Sequence, residues 1–307
     1  MNQNLSKQER RNLAREQARL AREQEAKKAK RNRITIQALV ALVVVGVLVL
    51  AGLAIAQQVR PEGPAVSAAN MQSGGVVFGK DLQVEKTPAL AADESFVPTA
   101  INTAERPVHV QLYLDFICPA CGAFEQRYGE LLEKQAAAGD LTFEVTPLNF
   151  LDASSAGTRY STRAANLFSC VVDKQPEHAF KVQRALFEKQ PAEGTPGLKD
   201  QELLDLAVSA GTEKTAELTS CVNSRPFGSF TSRVTNQVTS EGIIGLNEGS
   251  RLVGNPTTGE LQEEGKPQIL VSTPTVLVNG EQWVPQRDGD LEQFLLKTIQ
   301  DAKAANG

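Results

Sequence analysis

Residues 108–145 read VHVQLYLDFICPACGAFEQRYGELLEKQAAAGDLTFEV, and the succession of patterns in that stretch decides the fold. Val108 to Phe116 is an apolar-rich run of strand length. After the cysteines, Phe124, Tyr128, Leu131 and Leu132 recur at helical spacing until Gly139, a residue type that ends helices. Leu141 to Val145 reads as a second strand. A strand, a helix and a strand within about 40 residues form a βαβ unit, whose crossover makes the two strands parallel.

Cys118-Pro119-Ala120-Cys121 falls where the first strand gives way to the helix. There Cys118 faces unpaired N–H groups and the positive end of the helix dipole, which stabilise a thiolate, while Cys121 lies one turn further in. The pattern predicts one exposed, reactive sulfur and one sheltered partner. Zinc is a competing use of such a pair, but it needs four ligands. The chain has no second C-x-x-C and only two histidines, His109 and His178. An inert disulfide is the other competitor. Its placement argues against it, because a structural bridge gains most by closing a long loop and this one closes almost none.

Beyond the βαβ unit the pattern turns helical from Ala153 to about Gly242, with segments around Thr158–Asp173, Glu177–Lys189, Asp200–Ala210 and Ala216–Val238. Thr275–Val278 and Glu281–Val284 flank Asn279-Gly280, the strongest short signal for a two-residue type I′ hairpin. A last helix follows, with Asp290 as N-cap, Gln293 in the reciprocal position and Leu291, Phe294, Leu295 and Ile299 on its apolar side. Between the insert and the hairpin, residues 243–270 are rich in Gly, Asn, Pro and Glu, which predicts a surface loop or small hairpin near the cysteines.

On the N-terminal side, residues 57–75 have the small, Pro and Gly residues of a linker, which places the start of the folded domain near Val76. Ile34 to Ala56 is 23 residues without a charge, long enough as a helix to cross a hydrocarbon core of roughly 30 Å. Residues 1–33 carry +7 of a chain whose total is -4, leaving -11 on the rest. That segregation argues against a nucleic-acid-binding body and points to a basic tail on an acidic domain. With Lys27, Lys28, Lys30, Arg31 and Arg33 on one side of the apolar segment and Arg60 beyond the other, the tail is cytoplasmic and the domain exported. The rival is a signal peptide cleaved after Ala54-Ile55-Ala56. The apolar run exceeds the usual h-region, which favours the anchor. The tail reads as a solvated segment drawn to anionic lipid. All four cysteines then lie on the oxidising side of the bilayer.

Phe116-Ile117-Cys118-Pro119-Ala120-Cys121, the helical insert, and Ser272-Thr273-Pro274-Thr275-Val276 before the Asn-Gly hairpin together resemble the DsbA-like thiol-disulfide oxidoreductases of the thioredoxin superfamily, especially membrane-anchored bacterial ones. The resemblance spans about residues 76–305. It implies an α/β thioredoxin fold interrupted by a helical insert domain at about 153–242 and preceded by one transmembrane helix. It further implies a catalytic Cys118–Cys121 pair and Pro274 as a cis-proline facing it, where the residues alone also allow a trans proline beginning an edge strand. Unfolded exported proteins with free thiols would be the substrates, and a DsbB-like or VKOR-like membrane protein the reoxidase. No cofactor or metal is implied. The Thr273 backbone, Phe116 and Ile117 are candidates for holding a substrate strand, with core packing the alternative for the two apolar side chains. Cys170 and Cys221, in the similar settings Phe168-Ser169-Cys170-Val171 and Thr219-Ser220-Cys221-Val222, are left to form a structural disulfide.

Two positions depart from the family pattern. Leu112 stands six residues before Cys118, where many relatives carry a buried acid, so proton handling passes to Asp115 or to water, and Asp115 reads equally well as a helix cap. The 243–270 segment is also longer than the usual link. Direction of reaction depends on the thiolate: a Cys118 pKa near ~4 would favour the dithiol by about 4 kcal/mol, or about 90 mV. Ala120 replaces the histidine of strongly oxidising relatives, which points to an intermediate potential. A reductase or isomerase of the same fold, and a cell-surface binding module with structural disulfides, are the competing functions.

Overall fold

The computed structural model describes residues 63–101, 103 and 107–306, which belong to one compact unit, Pro61–Gly307. The expected basic tail and the apolar segment 34–56 lie outside the described residues. Among those described, no helix is long and apolar enough to cross a membrane.

The centre is a five-stranded sheet in the order β1-β3-β2-β6-β7. Its strands are β1 (Val76–Phe78), β2 (His109–Leu114), β3 (Thr142–Pro147), β6 (Thr275–Val278) and β7 (Glu281–Gln282). β2 and β3 are parallel, as the 20-residue helix α1 (Pro119–Ala138) between them requires, and the other pairings are antiparallel. Pro119 occupies the first turn of α1, where no N–H is needed, and Gly139 ends it at φ 78°. This is an α/β thioredoxin-like arrangement with an added helical layer.

Every residue of β2 is buried, the polar ones included, so its polar face must find partners inside the protein. His109 Nδ1 lies 2.8 Å from Thr142 Oγ1 and Nε2 lies 3.1 Å from Glu144 Oε2, while the Ser73 hydroxyl donates to Glu144 Oε1 at 2.6 Å. The Tyr113 hydroxyl donates to the Ile244 carbonyl.

Ser73 belongs to the segment read from sequence as the end of a linker, and the structure corrects that reading. Ala68 and Met71 are core residues. Ala69 N–H donates to Asp173 at 2.9 Å, Asn70 Nδ2 donates to the Val172 carbonyl at 3.2 Å, and Ser67 N–H donates to the Leu90 carbonyl at 3.0 Å. The small side chains that resemble a flexible linker serve instead to bring a strap against the sheet and the helical layer.

That layer comprises α2 (Tyr160–Lys174), α3 (Ala179–Glu188), α4 (Asp200–Ser209), α5 (Ala216–Ser224) and α6 (Gly228–Asn236). The single helical segment expected over Ala216–Val238 is in fact two helices. Pro226 has no N–H to donate and excludes a helical neighbour before it, and Arg225 turns to φ 54°. Cys170 of α2 and Cys221 of α5 are joined by a disulfide with Cα atoms 5.9 Å apart. Residues 243–270 include a two-stranded hairpin, β4 (Val253–Asn255) with β5 (Glu260–Leu261). Asn279 and Gly280 both have positive φ, as the tight turn between β6 and β7 needs, although β7 is two residues rather than the four expected. The chain closes with α7 (Pro285–Asp288) and α8 (Leu291–Asn306), whose first N–H groups include that of Glu292, held by Asp290 Oδ1 at 3.0 Å.

Candidate active site

Where β2 ends, the chain turns through Asp115-Phe116-Ile117 before α1 begins, and the buried Asp115 carboxylate holds that turn. Its Oδ1 accepts from Ile117 N–H at 3.0 Å and its Oδ2 from Leu151 N–H at 2.8 Å, while its backbone carbonyl accepts from Cys118 N–H at 3.1 Å. Asp115 therefore caps the turn that delivers Cys118 to the helix rather than the helix itself. Burial raises its pKa to about 6.

Cys118 is the N-cap residue of α1 and its carbonyl accepts the first helical bond, from Gly122 N–H at 3.1 Å. Its sulfur lies 3.4 Å from the Thr273 carbonyl, to which the thiol donates, and the Thr273–Pro274 bond is cis. Cys118 and Cys121 are both free thiols here. Their electrostatics differ sharply. A hydrogen bond from the Cys121 thiol lowers the Cys118 pKa to about 6 against the opposing effect of burial, helped by the Thr273 side chain and the N–H groups of Cys121 and Ala120. Burial, then the neighbouring Cys118, pushes Cys121 well above the ordinary thiol range.

The expected contrast in exposure is smaller than the contrast in charge. Cys118 is itself 5% exposed and Cys121 2%. What distinguishes them is the set of donors turned toward Cys118, the Cys121 thiol first and then Thr273 and the N–H groups of Cys121 and Ala120, set against burial that dominates at Cys121. Phe116 and Ile117 are fully buried, with the Phe116 ring 5.3 Å from Phe187 and 5.8 Å from Phe168, so their side chains follow the core-packing alternative.

A groove of about 230 Å³ opens beside Pro274, walled by Phe124, Val276, Trp283 and Pro285 and closed on one flank by Val253 and Pro256 of the β4–β5 hairpin. Part of the 243–270 segment thus forms one wall of the groove beside Pro274. Among the described residues, no cluster of three or more His, Cys, Asp or Glu could hold a metal ion.

Two polar side chains reach this region that sequence patterns did not single out. Glu125 lies one turn beyond Cys121, buried, with Gln183 donating to it at 3.0 Å and Arg184 3.6 Å away; burial raises its pKa. Gln190, just after α3, donates from Nε2 to the Phe116 carbonyl at 3.2 Å and to the Cys118 carbonyl at 2.9 Å. The available signal was Gly122, since a glycine inside a helix costs up to about 1 kcal/mol and so implies a close approach.

Residues 99–245 match the protein-family model described as Thioredoxin. A curated relative, the serine/threonine-protein kinase PknE of Mycobacterium tuberculosis, is 32% identical over 152 residues, covering 48% of this chain and 26% of that protein. The chain thus spans about a quarter of the length of the curated relatives it matches. Among solved structures, the reduced disulfide bond oxidoreductase DsbG of Mycobacterium tuberculosis is similar at 25% identity and a TM-score of 0.45, covering 68% of this chain and 91% of that one. Oxidised BdbD of Bacillus subtilis is similar at 20% identity and a TM-score of 0.49, covering 78% and 98%. Residues 99–245 are thus similar to a thioredoxin domain.

Proposed function

We propose that this domain is a thiol-disulfide oxidoreductase that oxidises dithiols in unfolded exported proteins through Cys118 and Cys121. The observation that carries the reading is the unequal pair at the start of α1, one thiol with a pKa of about 6 beside the Thr273 carbonyl and one held protonated behind it. In the oxidised enzyme a substrate thiolate attacks Cys118, and Cys121 leaves and takes up a proton. The substrate's second thiolate then attacks its own mixed-disulfide sulfur and Cys118 leaves as the stabilised thiolate. Two electrons pass from substrate to enzyme. A DsbB-like or VKOR-like membrane protein would return the pair to the disulfide.

The segregation of charge supports a place for the domain outside the cytoplasmic membrane, tethered by residues 34–56 with the +7 tail inside. Thr273 and the groove beside Pro274 would receive the substrate strand.

One observation favours reduction or isomerisation as a second reading. A Cys118 pKa of about 6 stabilises the dithiol at pH 7 by about 1.4 kcal/mol, or about 30 mV, a third of what a pKa near ~4 would supply. The test is to add the oxidised domain to a reduced, disulfide-containing substrate and to equilibrate the domain with glutathione. Faster substrate oxidation with a potential above that of the thioredoxins supports the oxidase. No acceleration, with a potential near theirs, supports the reductase.

A further inference from the structure

We propose that Gln190 is a positioning residue for the Cys118 thiolate, holding the active-site turn from the helical layer. The inference rests on Cys118 being the attacking sulfur, and concerns what sets its ionisation. Gln190 follows the end of α3, where its own N–H donates to the Phe187 carbonyl at 3.1 Å and fixes the backbone. From there the two hydrogens of Nε2 are divided between the Phe116 carbonyl at 3.2 Å and the Cys118 carbonyl at 2.9 Å. These carbonyls bracket the segment that carries the thiol. The Cys118 carbonyl already accepts from Gly122 N–H, so Gln190 occupies its second lone pair.

Gly122 makes the arrangement sterically possible. A Cβ there would lie 2.2 Å from Gln190 Oε1, so any other residue must displace the carboxamide. The helix bears the unfavourable propensity of an internal glycine at the turn where the amide enters.

Two effects follow, and both favour the thiolate. The donated hydrogen bonds offset negative charge on the carbonyl oxygen of Cys118 itself and on that of Phe116 two residues before it. They also fix the turn from Phe116 to Cys118 that leads into α1, whose Ala120 and Cys121 N–H groups contribute to lowering the Cys118 pKa. Asp115 holds the strand side of the same turn through N–H groups, whereas Gln190 donates to the Phe116 and Cys118 carbonyls.

The test is the thiolate absorbance of Cys118 titrated against pH in the dithiol form of four proteins: wild type, Gln190→Ala, Gly122→Ala and the double variant. Thermal unfolding is read in parallel. Gln190→Ala is expected to raise the Cys118 pKa by roughly 0.5 to 1, the worth of one ordinary hydrogen bond. Gly122→Ala should raise it similarly while leaving Tm equal or higher, because alanine is the better helix former. The double variant should match either single one, since both remove the same contact. Gln190→Glu, which adds negative charge and loses the donor, should shift it furthest. The proposal is overturned if the titration is unmoved in Gln190→Ala, or if the two single effects add. Should Gln190→Ala fail to fold, Gly122→Ala decides the question alone. A wild-type pKa in the ordinary thiol range would defeat the functional reading itself, whereas a low one insensitive to residues 122 and 190 would defeat only this inference.

Discussion

The two cysteine pairs are made of the same atoms and differ in nearly everything around them. Cys118 and Cys121 bracket the first turn of α1, where N–H groups lack helical partners, and there one thiol is drawn toward ionisation. Cys170 and Cys221 lie within α2 and α5, past the first turn of each, and close a span of 51 residues between two helices. Their polar neighbour is Asn166, whose Nδ2 is 3.6 Å from Cys170 Sγ and whose Oδ1 accepts from Phe227 N–H at 3.1 Å. Position relative to a helix start, more than burial, separates a reactive sulfur from a structural one, since all four cysteines are at most 7% exposed.

The sharpest way to break this comparison is to remove one pair at a time. Cys118→Ala should reduce thiol-disulfide exchange to the uncatalysed rate, whereas Cys121→Ala should leave a Cys118 thiol that forms mixed disulfides and cannot complete the cycle. Mass analysis of alkylated reaction mixtures distinguishes the two. Replacing Cys170 and Cys221 together by alanine should leave exchange intact and cost up to about 4 kcal/mol in the chain-entropy model, which lowers Tm by roughly 5 to 15 °C. Lost exchange in that variant would mean that the two pairs are not independent.

A smaller effect lies beneath the reactive pair. Asp115 titrates at about 6 in the folded protein and near ~3.9 when unfolded, so the neutral form is favoured by folding. Its stabilising contribution is complete below the unfolded pKa and is lost as pH rises through the folded one, roughly 3 kcal/mol in all. Relative to Asp115→Asn, the wild type should therefore lose stability between about pH 4 and pH 7, measured by urea unfolding at each pH. A difference that is constant with pH would show that the carboxyl is not held neutral. The insert disulfide has no such titration and provides the control.

Much of this was legible in the sequence because it is local. The βαβ unit, the helix stop at Gly139, the Asn-Gly turn and the C-x-x-C at a strand-to-helix junction are each declared by a few neighbouring residues. What was hidden depends on contacts across the chain. The strap of residues 64–75 looks like a linker because small residues serve both flexibility and close packing. Phe116 and Ile117 flank the cysteines in sequence yet point into the core, and Gln190 reaches the site from more than 70 residues away. Only Gly122 left a trace of that last contact.

The central claim is that the Cys121 thiol, together with Thr273 and the N–H groups at the start of α1, makes Cys118 a thiolate near neutral pH while Cys121 stays protonated. Titrating the thiolate absorbance of the reduced domain, with Cys118→Ala alongside to assign the signal, tests it most directly. The account predicts a single transition near pH 6, carried by Cys118, with no Cys121 ionisation until well above the ordinary thiol range. A Cys118 transition at the unperturbed value of ~8.5, or two sulfurs that ionise together, would contradict it.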